Sequence, residues 1–413
     1  MKLATFGQAL AELPSGGLAY LPSSSYREME EWALPTDALR RLEQLKESQG
    51  EEFFTRGESP LIRGSHWRNF LVKYSESNRM HKKAMALSTL CRERGDPHGA
   101  RRALGAAQCN DVYWHGVFGG LYLRHLRDTV WGKLAEAEGR LRSGENLEWE
   151  ETDLDLDGNE EIWVHSGNFS GLVSPARGGA VEELTLFSAG VNLANSLTRR
   201  REAYHEQSEK VEAGTETGHP PPGPGESSTT ASIHDLEGDL RFIELPPVDP
   251  EERALFLDRV LPGHLELDAY QEGRFEPLFS WTSLRLEVLC IRMDEGAEGH
   301  SAGDSHPRWV EIHLGTSVGG TLEKRIRFET GGEVEVSYVW DPGDFPEDSL
   351  FTTELSLGAD ANVLASPGSA FWRFPISTFS KSERGFDKTV QGESVTVRWP
   401  MSVGSGSVRI TRD

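Results

Sequence analysis

Two hydrophobic periods divide this chain. Between about residues 35 and 142, apolar side chains recur every three or four positions, which places them on one face of a helix. Pro35-Thr36-Asp37 opens a first helix with Ala38, Leu39, Leu42 and Leu45 on one side. Ser77-Asn78 can cap a second, in which Met80, Ala84, Leu87 and Cys91 repeat before Gly95 ends it. Asp96-Pro97 begins a third that runs towards Gln108, and Leu126, Val130, Leu134, Ala137 and Leu141 stripe a fourth. Beyond Ser143 the period drops to two. Short alternating runs begin at Glu161, Leu284, Trp309 and Ser394, and the runs at 326–328 and 333–338 flank Thr330-Gly331-Gly332 as a hairpin would. The pattern predicts an α+β chain, a helical bundle over 35–142 followed by a large antiparallel β-sandwich over 143–413.

Two stretches stand apart from this pattern. Leu18-Ala19-Tyr20-Leu21-Pro22 follows a glycine pair and reads as a short buried strand, pairing either with a later sheet or with strands this chain does not supply. Residues 209–230 hold Val211 and Ala213 as their only aliphatic side chains among Gly, Pro, Ser, Thr and Glu. Such a stretch cannot bury enough apolar surface to order itself, so a disordered insertion is expected.

Composition narrows the partners. A chain of 413 residues exceeds one ordinary core, and two to three domains are expected. The 43 basic against 66 acidic residues give a formal charge of -23, which repels phosphate backbones and anionic lipid and disfavours nucleic acid and membrane as partners. Cys91, Cys109 and Cys290 form neither a disulfide framework nor a CxxC pair. With no signal-like apolar run at the N-terminus, a cytoplasmic location is expected.

The densest chemistry lies between the third and fourth helices. Ala107–Gly120 packs Asn110, Asp111, Tyr113, Trp114 and His115 into six consecutive positions. Aromatic faces stack on the apolar CH surface of a sugar ring, while Asp, Asn and His direct hydrogen bonds at its hydroxyls. Equally, such a cluster can be a buried polar turn that pins helices together. His81 lies opposite the apolar stripe of its helix and reads as exposed. Asp153, Asp155 and Asp157 alternate ahead of Gly158 and could wrap Ca²⁺. An EF-hand loop would need Glu where Val164 stands, so a different calcium loop or an acidic turn is expected. Arg199-Arg200-Arg201 reads as a solvated or ion-paired strand end.

The run AQCNDVYWHGVFGG at 107–120 resembles the fifth sequence motif of family 57 glycoside hydrolases in their 4-α-glucanotransferase/α-amylase branch. Stretches at 16–35, 66–83, 122–134, 153–164, 231–236 and 372–387 are similar to the same branch in the same order. The resemblance implies that residues 1–34 are the end of a β/α barrel, remnant strand included, and that the sandwich is mutarotase-like. It implies retaining chemistry on α-1,4-glucans or maltooligosaccharides with no required cofactor, places Asp111 against the substrate, and makes His66 and Trp67, with Asn69, candidates to line the cleft beside the 107–116 segment. Retention takes two carboxyl groups about 5–5.5 Å apart. The family carries both in the barrel that precedes the helices, and neither motif occurs here. A chain inactive without that barrel is therefore expected, through truncation or through a separately encoded barrel. The rivals are a stand-alone α-glucan-binding module holding sugar by Tyr113 and Trp114, and a structural partner subunit.

Overall fold

The computed structural model describes residues 3–14, 16–20, 27–50, 64–116, 119–206, 245–294, 307–382 and 385–412. The insertion expected at 209–230 and the stretch at 231–236 lie outside the described residues. Helices come first: α1 (Phe6–Glu12), α2 (Arg27–Trp32), α3 (Thr36–Gln49), α4 (Trp67–Lys73), α5 (Ser75–Glu93), α6 (His98–Ala107) and α7 (Arg124–Leu141). Strands follow as β1 (Glu148–Thr152), β2 (Glu161–His165), β3 (Phe169–Ser174), β4 (Ala180–Leu186), β5 (Val191–Asn192), β6 (Leu255–Leu261), β7 (Phe279–Ser280) and β8 (Glu287–Met293). They continue as β9 (Trp309–Thr316), β10 (Leu322–Glu329), β11 (Val334–Trp340), β12 (Leu350–Leu357), β13 (Asn362–Ala365), β14 (Ala370–Ser382), β15 (Gly385–Pro400) and β16 (Ser405–Thr411). Short helices α8 (Ala203–Glu206) and α9 (Leu267–Gln271) interrupt them.

The strands form two antiparallel sheets. One runs β1-β2-β3-β4-β6-β12-β15-β14, with β5 on β4 and β7 on β6; the other runs β13-β16-β11-β10-β9-β8. Alternation in β10 and β11 turns Leu322, Ile326, Phe328, Val334, Val336 and Trp340 inward, where they meet Phe169, Val181, Val260 and Phe351 of the first sheet. Trp340 stacks on Phe351 with centroids 4.2 Å apart. The hairpin after β10 turns through Gly332 at φ 88°, where an added Cβ would meet Leu186 at 2.5 Å.

The larger sheet is covered on both faces, which explains why every residue of β2 and β3 is buried. Ile162 and Val164 face the second sheet, while Trp163 and Leu172 face the helices. Helices α5, α6 and α7 therefore form a third layer on the sandwich. Buried ion pairs knit these layers. Lys83 on α5 lies 2.9 Å from Glu138 on α7 and 3.0 Å from Glu183 on β4, and Arg79 pairs with Glu182 at 3.1 Å.

Three departures from the sequence pattern stand out, while the arginine run at 199–201 follows its ion-paired reading. The buried strand expected from Leu18 is not formed: residues 16–20 join no sheet, and Leu18 and Tyr20 are exposed, because an extended segment becomes a strand only beside a ladder partner. Leu21 and Pro22 lie outside the described residues. The second expected helix begins at Ser75, and α4 immediately precedes it, the two separated at Tyr74 by φ -122° and ψ 88°. Helix α3 forms, but no residue of it is buried. Arg199 and Arg200 are ion-paired, with Asp249 at 2.6 Å and Glu76 at 2.9 Å.

Candidate functional site

The segment between α6 and α7 opens with a 3-10 turn at Asn110–Tyr113. Its alternate residues go to different environments. Tyr113 is buried and donates its hydroxyl to the carbonyl of Ala107 at 3.0 Å, and Trp67 Nε1 donates to the carbonyl of Tyr113 at 2.9 Å. His115 has no exposed surface. Its Nδ1 lies 3.3 Å from the carbonyl of Gly119 and its Nε2 lies 3.1 Å from the Tyr204 hydroxyl. Since a carbonyl only accepts, Nδ1 carries the proton and Nε2 accepts from tyrosine. Burial lowers the His115 pKa to about 4 against the opposing pull of Glu202, so the ring is neutral at pH 7. His115 and Tyr113 therefore present almost no surface to a ligand.

The exposed side is supplied by Asn110 and Asp111 and by half-buried Trp114, whose ring tilts against Phe70 with centroids 5.7 Å apart. One Asp111 oxygen accepts from the Cys109 thiol at 3.3 Å. His66 is exposed at the start of α4, where its backbone N–H donates to Asn69 Oδ1 at 3.1 Å.

Beneath the segment lies a polar hub. Glu202, from the stretch preceding α8, accepts the hydroxyls of Tyr74 at 2.7 Å and Tyr122 at 2.8 Å, and pairs with Lys73 at 2.8 Å. Burial alone would raise the Glu202 carboxyl; Lys73, His115 and the hydrogen bonds outweigh burial and bring it to about 2. Tyr122 in turn packs on His115 with centroids 4.3 Å apart. A residue of the sandwich-side chain thus holds the floor of the segment.

A groove of about 700 Å³ runs along the inner side of the segment, between α5, the end of α6 and the turn after β1. It brings together Trp67, Asn110 and Tyr113, and adds His81, Gln108 and Leu156. Asp111, Trp114, His115 and His66 do not line it. His81, expected to be exposed, is half-buried with its ring edge-on to Trp67 at 5.4 Å and to Tyr113 at 5.9 Å. Helical periodicity places a residue on a face but does not say that another segment folds over that face.

The acidic turn is regrouped in the same way. Carboxylate oxygens of Asp153, Asp155 and Glu161 lie within 4.8 Å of one another, whereas Asp157 turns to the Asn159 backbone N–H at 2.7 Å. Glu161 is 2% exposed, and burial, followed by repulsion from Asp155, pushes its carboxyl to about 8. Burial, Glu182 and Asp157 raise Asp155 to about 6. An acid at the start of the following strand was the available clue to Glu161, visible only once β2 folds back beside the turn.

This layered architecture and its segment coincide with known proteins. Residues 65–141 match the alpha-amylase/4-alpha-glucanotransferase middle domain, and residues 153–362 and 347–410 match the C-terminal domain of the same description. The 4-alpha-glucanotransferase of Thermococcus kodakarensis is 32% identical over 412 residues, covering 97% of this chain and 60% of its own length. An alpha-amylase of Pyrococcus abyssi is 29% identical over 428 residues, covering 96% of this chain and 60% of its own. The crystal structure of the Thermococcus litoralis 4-alpha-glucanotransferase aligns with a TM-score of 0.70 at 28% identity, over 99% of this chain and 61% of that one. The chain belongs to the alpha-amylase/4-alpha-glucanotransferase family. It spans about 60% of the length of the relatives it matches. Among the described residues, no helix is long and apolar enough to cross a membrane.

Proposed function

We propose that this chain binds α-1,4-glucan through Asn110, Asp111 and Trp114, as the helical and sandwich portion of an alpha-amylase or 4-alpha-glucanotransferase. The observation that carries this reading is the division of labour in the segment. Tyr113 and His115 are locked into the core, while Asn110 and Asp111 are held outward and the Trp114 ring is left half-buried. A ligand then meets a surface whose ordering cost has already been met in folding. Trp67 braces this surface by bonding the segment's backbone, and exposed His66 precedes it at the start of α4.

In this reading the chain does not cleave glucan by itself. Two-step retention needs an attacking carboxylate and a proton donor across one bond, and Asp111 is the only acidic residue in 107–120. A barrel carrying the pair, joined to this chain or separate from it, would complete the reaction. Titrating the purified chain with maltotetraose while following tryptophan fluorescence is expected to show saturable binding that Trp114→Ala weakens at least tenfold. Glucan cleavage or transfer by this chain alone that survives Asp111→Asn would refute the division of roles. A non-catalytic α-glucan-binding module is the second reading, favoured by the outward side of the segment being built entirely from this chain.

We also propose that the carboxylate trio holds Ca²⁺. Hard oxygen donors from Asp153, Asp155 and Glu161 suit that cation, with backbone carbonyls and water completing six to eight ligands. An ion there would offset the burial that raises both Glu161 and Asp155, and the repulsion of Glu161 by Asp155. Calcium at a hundredfold excess over Kd is expected to stabilise the fold by about 2.7 kcal/mol. Differential scanning calorimetry with calcium and then with EDTA checks this. Glu161→Gln should abolish the calcium-dependent shift and Asp157→Asn should retain it; the reverse pattern would restore Asp157 as a ligand.

A further inference from the structure

We infer that the groove on the inner side of the segment is a second saccharide-binding subsite, with Leu156 as a lip that covers the apolar face of the bound sugar. This inference rests on the α-glucan reading and assigns it a place that neither Asp111 nor Trp114 reaches.

The backbone supplies the first argument. Leu156 has φ 59°, in the left-handed region, and its side chain is 61% exposed at the groove edge. For an L-residue that conformation costs about 1–2 kcal/mol, and glycine or asparagine would adopt it more cheaply. An exposed isobutyl group returns nothing to the fold in compensation. The turn is nonetheless held from several directions. Asp153 accepts the backbone N–H groups of Asp157 and Gly158, each at 3.0 Å, and Asn78 Nδ2 donates to the carbonyl of Asp155 at 2.8 Å. Strain that the surroundings maintain, carried by an apolar side chain over a cavity, points to a ligand contact.

The lining defines the ligand class. Trp67 and His81 offer rings, Met85 and Leu156 offer apolar surface, and Gln108 and Asn110 offer amide donors and acceptors. Lys82 and Arg92 are balanced in part by Asp153, so the groove does not select a strongly charged ligand. A volume of about 700 Å³ falls within the roughly 300–1,000 Å³ of small-molecule sites. An uncharged compound with apolar ring faces and equatorial hydroxyls meets these requirements, and a short maltooligosaccharide is that compound in an α-glucan protein.

Isothermal titration of the full chain with maltotetraose tests this. Two binding events are expected. Leu156→Asn, which suits the left-handed backbone, should weaken one of them at least tenfold while the unfolding temperature holds or rises. Met85→Trp, which fills the groove from α5, should remove the same event, and Trp114→Ala should remove the other. A single event that is lost in Trp114→Ala and indifferent to both groove variants would overturn the groove assignment and leave the glucan reading standing. A single event lost only in the groove variants would support the groove and overturn the role given to Trp114. No heat from the unaltered chain at millimolar sugar would end both. A lower unfolding temperature in Leu156→Asn would remove the strain on which the lip is argued.

Discussion

Replacing Lys83 with alanine is expected to destabilise the protein by about 3–5 kcal/mol. The Lys83 side chain is 1% exposed, and its ammonium group lies 2.9 Å from Glu138, 3.0 Å from Glu183 and 2.8 Å from the Ser170 hydroxyl. It also sits 4.3 Å from the centre of the Trp163 ring. Removing it takes the ammonium partner from Glu183, 3% exposed, and leaves Glu138, 1% exposed, to Arg142 alone, and buried charge without a partner is the costly case. Arg142 reaches Glu138 at 3.0 Å and cannot serve Glu183 as well. The loss should fall at the boundary between the helical layer and the larger sheet, since Lys83 and Glu138 belong to one and Glu183 to the other. Urea unfolding followed by tryptophan fluorescence measures it. A cost below about 1 kcal/mol would mean that water enters this boundary freely and that the layers are not joined as described. Replacing all three charged groups with apolar residues of similar size should recover much of the loss, because it is the unpaired charges that are expensive.

The second large effect is tied to pH. Glu202 titrates at about 2 in the folded protein against an ordinary value of 4.5. A carboxyl whose folded pKa is depressed adds stability above its unfolded value, and that stability disappears as pH falls from about 4.5 towards 2. At 1.36 kcal/mol per unit, the contribution at pH 7 is on the order of 3 kcal/mol. Glu202→Gln keeps an oxygen for the Tyr74 and Tyr122 hydroxyls but removes the charge facing Lys73. The variant should be less stable by about that amount at pH 7 and should show a flatter decline between pH 4.5 and 2. Unfolding midpoints across this range decide the matter; parallel acid limbs in the two proteins would show that Glu202 is not the group responsible. Because Tyr122 packs on His115, the same variant should also loosen the segment that presents Asn110 and Asp111, and maltotetraose affinity provides an independent reading of that effect.

How much of this was legible beforehand varied by element. The stripe from Leu126 to Leu141 became α7, and the alternation around Gly331-Gly332 became the β10–β11 hairpin, because a local repeat suffices to mark an amphipathic helix or a half-buried strand. The burial of both faces of β2 was not legible, since a short run such as 161–164 marks a strand without saying what covers either of its faces. His81 was read as exposed and Glu161 was left out of the acidic group for the same reason. One is covered by Trp67 and Tyr113, which are 14 and 32 residues away, and the other joins Asp153 only when a strand folds back.

By its own pattern the sequence determined the kinds of element, their order, and the short run in which polar and aromatic side chains are concentrated. These depend on residues a few positions apart, and their signal survives in one dimension. Tertiary structure alone decided that Tyr113 and His115 go inward while Asn110 and Asp111 stay out. It also decided that Glu202 supports them from below, and that a strained leucine stands over a groove. Those outcomes turn on burial and on partners distant along the chain, and the energy of a buried charge or an unpaired hydroxyl is defined only once its neighbours are in place.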